Sequence, residues 1–322
     1  MAKIICYTLN PAFDLAVTLP ALRPGTVHRA QSSRMDPAGK GINVGRVLRR
    51  LGHAVRLGGL LGEDNAEPFG QLFRREQMED AFVTVAGSTR INVKLAEADG
   101  RVSDLNGPGL TITAADWQRL LTAMPEQLAG MDAVVVSGSL PPGVDVEAFA
   151  QWLVALRASG LPIWVDTSGP GMQAVRQAGV HVLKPNEEEL EQLLGRALPD
   201  TLALREAADE VLRLGWADQV ILSLGAEGAC WCDGTSLLQA HPPEVSVQNT
   251  VCAGDTLLAA ALHGELSGWP RSRSLAFATA LAAECVRHVG PGDPDAADFA
   301  SLLAQVRLDA PSPKVSAPEM PE

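Results

Sequence analysis

Short continuous apolar runs alternate along this chain with longer stretches whose apolar positions recur at helical spacing. The runs predict strands buried on both faces, at 3–8, 55–60, 81–85, 133–137, 163–166, 180–183 and 220–223. The spaced pattern predicts helices at 42–51, 66–78, 117–128, 147–159, 171–178 and 202–214. Further helices are predicted opening at 184–189, following Asp255, at 273–289 and near 296–308. Strand–helix alternation over most of the length implies an α/β fold: a mainly parallel sheet with helices on both faces. Two stretches break the rhythm. Looser strands at 15–19 and 27–32 flank Arg23-Pro24-Gly25, and 89–95 with 102–105 alternates polar and apolar residues around Asp99-Gly100. Together they predict a small antiparallel sheet. Such a sheet cannot bury both faces alone, so it should cover a cleft, a second subunit, or both. Segments 229–232 and 236–240 form a further hairpin around Asp233-Gly234. The expected organisation is one domain over 1–308 with lid segments at about 12–35 and 88–107, followed by a flexible tail at 309–322 that carries four prolines.

A chain of 322 residues, 46% hydrophobic, can bury a large core. Its net charge of −12 and lack of a long basic run argue against nucleic acid or an anionic membrane surface as partner. The N-terminus lacks a basic segment followed by a long apolar core, and no apolar run approaches the ~18 residues of a membrane span. The five cysteines (6, 230, 232, 252, 285) are scattered and odd in number, which fits a reducing cytoplasm. Cys230-Trp231-Cys232 sets two thiols on one face of a strand, but no second Cys or His pair follows at ligand spacing, and the six histidines form no His-Glu-x-x-His cluster. A structural zinc site is not expected.

The polar, glycine-rich turns carry the candidate chemistry. Most of them follow strands, so in a parallel sheet they should converge on one rim, where ligands bind. Gln248 to Thr256 reads as a small-residue turn opening into a helix, whose first N–H groups and positive dipole end favour an anion. Asp255 opposes a bound phosphate there. It makes sense as a base that takes a proton from a nucleophile while adjacent N–H groups stabilise charge on the transferred group, or simply as an acid complementing the helix dipole. Ala38-Gly39-Lys40-Gly41 also feeds a helix. It is not a Walker A loop, because Gly41 follows Lys40 and Arg34 stands where the first glycine should be; a dinucleotide G-x-G-x-x-G is absent there too.

Seven of these segments occur in one order: Thr8-Leu-Asn-Pro-Ala-Phe-Asp14, Ala38-Gly-Lys-Gly-Ile-Asn-Val44, Thr89-Arg-Ile-Asn-Val-Lys94, Val136-Ser-Gly-Ser-Leu-Pro141, Lys184-Pro-Asn-Glu-Glu-Glu-Leu190, Ser223-Leu-Gly-Ala-Glu-Gly228 and Ala253-Gly-Asp255. Taken together the chain resembles the ribokinase-like (PfkB) carbohydrate kinases, and within them the branch that acts on phosphosugars. The resemblance implies a ribokinase-like fold and phosphorylation of fructose 1-phosphate at its C6 hydroxyl by ATP with Mg²⁺, giving fructose 1,6-bisphosphate. It also implies a homodimer paired through the β lid. Tagatose 6-phosphate and fructose 6-phosphate are the alternative acceptors, and a non-catalytic sugar-phosphate sensor is the alternative of another class.

By this resemblance Asp255 is the base, and Cys252, Ala253 and Gly254 form the cradle for the transferring phosphoryl. Asp14 and Asn43 would hold sugar hydroxyls beside Gly39, although Asp14 also suits a turn cap. Lys40 would attract the substrate phosphate or stand as a solvated helix-start lysine. Arg90, Asn92 and Lys94 alternate along one strand and so share a face, suited to clamping a phosphate or to lying on a charged edge. Arg29 would join them or reach across a dimer. Ser139 is a phosphate or sugar ligand, or a turn residue. For the nucleotide, the resemblance nominates Lys184, Asn186, Ser223, Gly225, Ala226, Glu227, Gly228 and again Gly254, with Glu189 placing Mg²⁺ through water. Asn186 and Glu189 equally fit a helix capping box. Three positions depart from the family pattern: Cys252 replaces a glycine, Asn249 stands where many relatives carry an Asp linked to a monovalent cation, and Ala38 precedes Gly39 where a second glycine is common. Without that Asp, activation by K⁺ is not expected.

Overall fold

The computed structural model describes residues 1–309 and the backbone of 312–313. In chain order it begins β1 (Lys3–Thr8), β2 (Ala12–Leu19), β3 (Ser32–Ala38), α1 (Lys40–Arg50), β4 (Ala54–Gly62), α2 (Glu67–Arg75), β5 (Glu79–Val85), β6 (Arg90–Glu97) and β7 (Val102–Asn106). It continues α3 (Ala114–Leu128), β8 (Ala133–Ser137), α4 (Val146–Ala158), β9 (Ile163–Asp166), α5 (Pro170–Ala178), β10 (Val180–Leu183), α6 (Glu187–Leu194) and α7 (Thr201–Arg213). The last elements are β11 (Ala217–Ser223), β12 (Ala229–Cys232), β13 (Ser236–His241), α8 (Ala253–Leu266), α9 (Arg271–Cys285), α10 (Phe299–Gln305), β14 (Arg307–Leu308) and β15 (Ser312–Pro313).

The main sheet runs β5-β4-β1-β8-β9-β10-β11 with all pairings parallel, then turns antiparallel through β12, β13 and the short β14 and β15. Central strands read as unbroken apolar runs because both faces are covered. In β1, Ile4 and Cys6 enter the core beneath α1, α2, α8 and α9, whereas Ile5 and Tyr7 enter the core beneath α3 to α7. Tyr7 keeps one polar tie, donating its hydroxyl to Gln127 Oε1 at 2.9 Å. Helix α8 is buried almost all round, lying between α1 and α9, which is why it shows no polar stripe.

The second sheet has the order β3-β2-β6-β7. Its outer pairings are antiparallel, as expected, and its central pairing, β2 with β6, is parallel. The strand expected at 27–32 is displaced: residues 20–31 are irregular, Val27 is 95% exposed, and the strand is Ser32–Ala38. Pairing with β2 sets that register, Thr18 opposite Ser32 and Ala12 opposite Ala38, and Pro37 is tolerated because β3 is an edge. Alternation sorts the faces. Asp36, Asp14, Asn92 and Asn106 form one cross-strand row, and Arg34, Ala16, Lys94 and Asp104 the next on the same face. Between them, Met35, Leu15, Val93 and Leu105 form an apolar row on the opposite face, where Met35 is 52% and Leu105 59% exposed. The tail expected at 309–322 lies outside the described residues except for residue 309 and the short pairing of Ser312–Pro313 with β13.

Candidate active site

The carboxyl ends of β1, β8, β9, β10 and β11 open onto a cleft of about 550 Å³, roofed by the polar face of the small sheet. Asp255 lies at its base. Cys252 caps α8 with φ of +70°, a left-handed conformation that the family glycine would adopt without strain, and the helix then starts at Ala253. This turn aims the first N–H groups of α8 and the Asp255 side chain at the cleft. Asp255 is buried, and Asn43, from the first turn of α1, donates Nδ2 to its Oδ2 at 2.9 Å. Burial pushes the Asp255 carboxyl up to about 6; Lys40 opposes the rise, Asp166 adds to it, and the Asn43 hydrogen bond opposes it.

Asp166 closes β9 and is 1% exposed. Its Oδ1 lies 3.3 Å from Lys40 Nζ and its Oδ2 3.4 Å from Lys184 Nζ. Burial alone would raise its pKa, but Lys184 and Lys40 together outweigh that and hold the carboxyl below the ordinary range. Asp166 in turn holds Lys40 protonated, against the cost of burial. Lys184 packs under the first turn of α8: a β-carbon on Gly254 would stand 3.4 Å from Lys184 Nζ. On α6 the capping box is complete, with Asn186 accepting from the Glu189 N–H at 2.7 Å and Glu189 Oε2 accepting from the Asn186 N–H at 2.9 Å. The other Glu189 oxygen faces Lys40 Nζ at 4.0 Å.

On the roof, Asp14, Asn92, Lys94, Asp104 and Asn106 all line the cleft. Asn92 donates to Asp14 at 3.3 Å while its own carbonyl oxygen is buried without a partner in the protein, and Lys94 stands 3.9 Å from Asp104. Arg90 lines the cleft too, but two of its N–H groups are committed to the carbonyls of Gly107 and Asn10, at 2.9 and 3.1 Å. Ser139 Oγ accepts from Asn10 Nδ2 at 3.2 Å.

The cleft thus gathers Asp14, Gly39, Lys40, Asn43, Arg90, Asn92, Lys94, Ser139, Lys184, Asn186, Glu189, Ser223, Cys252, Gly254 and Asp255. Arg29 is not among its lining residues: it lies exposed in the irregular 20–31 segment. Ala253 stands between the lining residues Cys252 and Gly254 without lining the cleft itself, and Gly225, Ala226, Glu227 and Gly228, which follow Ser223 after Leu224, are not lining residues either. The glycine requirement at 228 has a packing cause, since φ is +97° and a β-carbon would meet Ala240 O at 2.0 Å. Thr8, Asn10, Asp104, Asn106 and Asp166 are lining residues that sequence reasoning passed over. Asp166 had a signal, an ionisable residue closing an apolar strand at the binding rim. Asp104 and Asn106 had another, since they alternate with Leu105 on the strand that pairs with Asn92 and Lys94.

Among the described residues no three His, Cys, Asp or Glu side chains converge as a metal cage. A hard divalent ion brought in with phosphate oxygens and waters needs only one or two carboxylates, and the Glu189 oxygen left free by the capping box fits that demand. The whole arrangement, a buried carboxylate near neutral pKa beside a helix N-terminus and two lysines, suits proton removal from an alcohol as an anionic group is transferred to it.

The sequence profile of the pfkB family carbohydrate kinases matches residues 1–298. The chain is 41% identical over 306 residues to a 1-phosphofructokinase of Escherichia coli, covering 95% of this chain and 98% of that one. It is 38% identical over 315 residues to a 1-phosphofructokinase of Vibrio cholerae, covering 98% and 99%. Phosphofructokinase-2 from Escherichia coli, solved in complex with fructose-6-phosphate, superposes with a TM-score of 0.84 at 29% identity, covering 94% of this chain and 99% of that one.

Proposed function

We propose that this chain, which belongs to the pfkB family of carbohydrate kinases, transfers the terminal phosphoryl group of ATP to the C6 hydroxyl of fructose 1-phosphate. The observation that carries the reading is Asp255, buried at the start of α8 in the cleft and oriented by Asn43, in a chain similar over its length to 1-phosphofructokinases. The O–H bond of the sugar breaks toward the Asp255 carboxylate, the freed oxygen forms the new P–O bond, and ADP leaves with the old bridging oxygen. The first N–H groups of α8, from Ala253 to Asp255, stabilise the charge on the phosphoryl in flight. Asp14, Gly39, Asn43 and Asn92 hold sugar hydroxyls, and Arg90, Lys94, Ser139 and Lys40 meet the substrate phosphate. Lys184, Asn186 and Ser223 serve the nucleotide side, with the 225–228 turn beyond them. Glu189 would hold Mg²⁺ through water, and that ion would supply charge neutralisation on the nucleotide phosphates.

The small sheet acts as a lid that excludes water, and its apolar row of Met35, Leu15, Val93 and Leu105 pairs with the lid of a second copy. In such a dimer Arg29 reaches the neighbouring cleft. A cytoplasmic setting suits five cysteines that all remain free. The likeness to phosphofructokinase-2 in complex with fructose-6-phosphate supports one second reading, fructose 6-phosphate as acceptor. Side-by-side kcat/KM values for fructose 1-phosphate, fructose 6-phosphate and tagatose 6-phosphate decide between them, with fructose 1-phosphate expected to lead. Asp255→Asn should lower kcat at least ~10²-fold with little change in the KM for ATP. Tight sugar-phosphate binding without turnover by the unaltered protein would instead make it a sensor.

A further inference from the structure

We propose that Asp166 is a positioning residue that ties Lys40 and Lys184 into one unit spanning the sugar and nucleotide sides of the cleft, with its charge also bearing directly on Asp255. The inference deepens the kinase reading and rests on it for the identity of the two sides. Lys40 belongs to the first turn of α1, beside Gly39 and the Asn43 that holds Asp255. Lys184 follows β10, precedes the Asn186 cap and packs under Gly254. No backbone link joins these two segments directly; the 3.3 and 3.4 Å contacts to one carboxylate do.

Burial makes that link a strong constraint. Asp166 is 1% and the Lys184 side chain 4% exposed, so neither charge has water to fall back on. Lys40, at 41% exposure, keeps donors free for a phosphate while its ammonium is held from behind. Without Asp166, the Lys40 ammonium would move toward the next carboxylate within reach, Glu189 at 4.0 Å. It would then turn away from the substrate phosphate. The groups that bear on Asp255 are Lys40 from α1, Asp166 from β9, Lys184 after β10, the Asn43 amide, and the thiols of Cys252 and of Cys285 on α9. Glu189 acts on it through Lys40. Removing the Asp166 charge takes one like charge away from Asp255 and leaves both cations, so Asp255 must hold its proton less tightly.

Asp166→Asn tests this. Misplacing two lysines in the transfer path should cut kcat on the order of 10²-fold. The KM for fructose 1-phosphate should rise as well, because Lys40, which meets the substrate phosphate, moves toward Glu189. The acidic limb of the kcat/KM profile should move to lower pH. Asp166→Glu keeps the charge but shifts the ammonium groups, so it should lose rate while the limb stays in place; it also serves if the Asn variant does not fold. A kcat within about threefold of the unaltered protein in a folded variant overturns the proposal, as does a rate loss in Asp166→Asn with the limb unmoved. NMR titration of the Asp255 carboxyl carbon needs no substrate. An unchanged midpoint in Asp166→Asn overturns the proposal even if the unaltered protein fails to turn over, which by itself would sink only the kinase reading.

Discussion

Single side chains of the candidate site carry a cost to the fold. Asp255 has a carboxyl pushed by burial from its ordinary 3.8 up to about 6. Between those values the folded chain holds a proton that the unfolded chain has released, so stability falls as pH rises through that window and stays lower above it. Asp255→Asn should therefore be more stable than the unaltered protein at pH 8, on the order of 1–3 kcal/mol, with the gap closing below about pH 4. Paired denaturation curves across pH check this, and the same ionisation should give kcat/KM an acidic limb near pH 6. Cys252 is a second such site. Left-handed geometry costs a residue bearing a β-carbon roughly 1–2 kcal/mol, and the extra freedom of unfolded glycine returns about 0.5–1 of it, so Cys252→Gly should leave stability equal or slightly higher. Cys252→Val, β-branched at the same φ, should be less stable than either. Arg90→Ala should raise the KM for the sugar phosphate well beyond twofold; a smaller change would remove Arg90 from the phosphate clamp.

Among the elements, those buried on both faces were the most legible in the sequence. The bounds of β1, β8, β9 and β10 coincide with their apolar runs, because turn residues close each run abruptly. The exposed lid was harder to read. β3 is Ser-Ser-Arg-Met-Asp-Pro-Ala, a stretch with little strand propensity that is extended only because β2 pairs with it, whereas residues 27–30, in the segment that looked better, have no such neighbour. Site residues followed the same logic. Those in glycine-rich turns announced themselves, but Asp166 sits alone behind an apolar run; it meets Lys184 only through the parallel pairing of β9 and β10, and Lys40 only where α1 begins in the fold. Of the glycines after β11, Gly228 has a packing requirement of its own, since β13 approaches it closely. Gly228→Ala should accordingly cost stability by more than about 1 kcal/mol, read in denaturant midpoints. Asn186→Ala should cost about 1 kcal/mol by removing the α6 cap, and weaken nucleotide binding besides.

At the scale of the whole molecule, the two sheets divide the cleft between them: the large one supplies a rigid rim, and the small one carries polar lining residues on one side and an apolar row on the other. Placing Glu at both Met35 and Leu105 should convert a dimer to monomers in sedimentation, because it sets charges on the row proposed to meet its partner. Rates should fall with it if Arg29 completes the neighbouring cleft. The parallel run of β2 and β6 has one more consequence. Both leave the main body over short connectors, residues 9–11 and 86–89, and β3 returns to α1 through Gly39 alone. A plank moored so tightly at several points can rock, but it cannot buckle or peel away strand by strand. Crystals grown with and without sugar phosphate should therefore differ by a rigid tilt of this plank with every rung of its ladder intact.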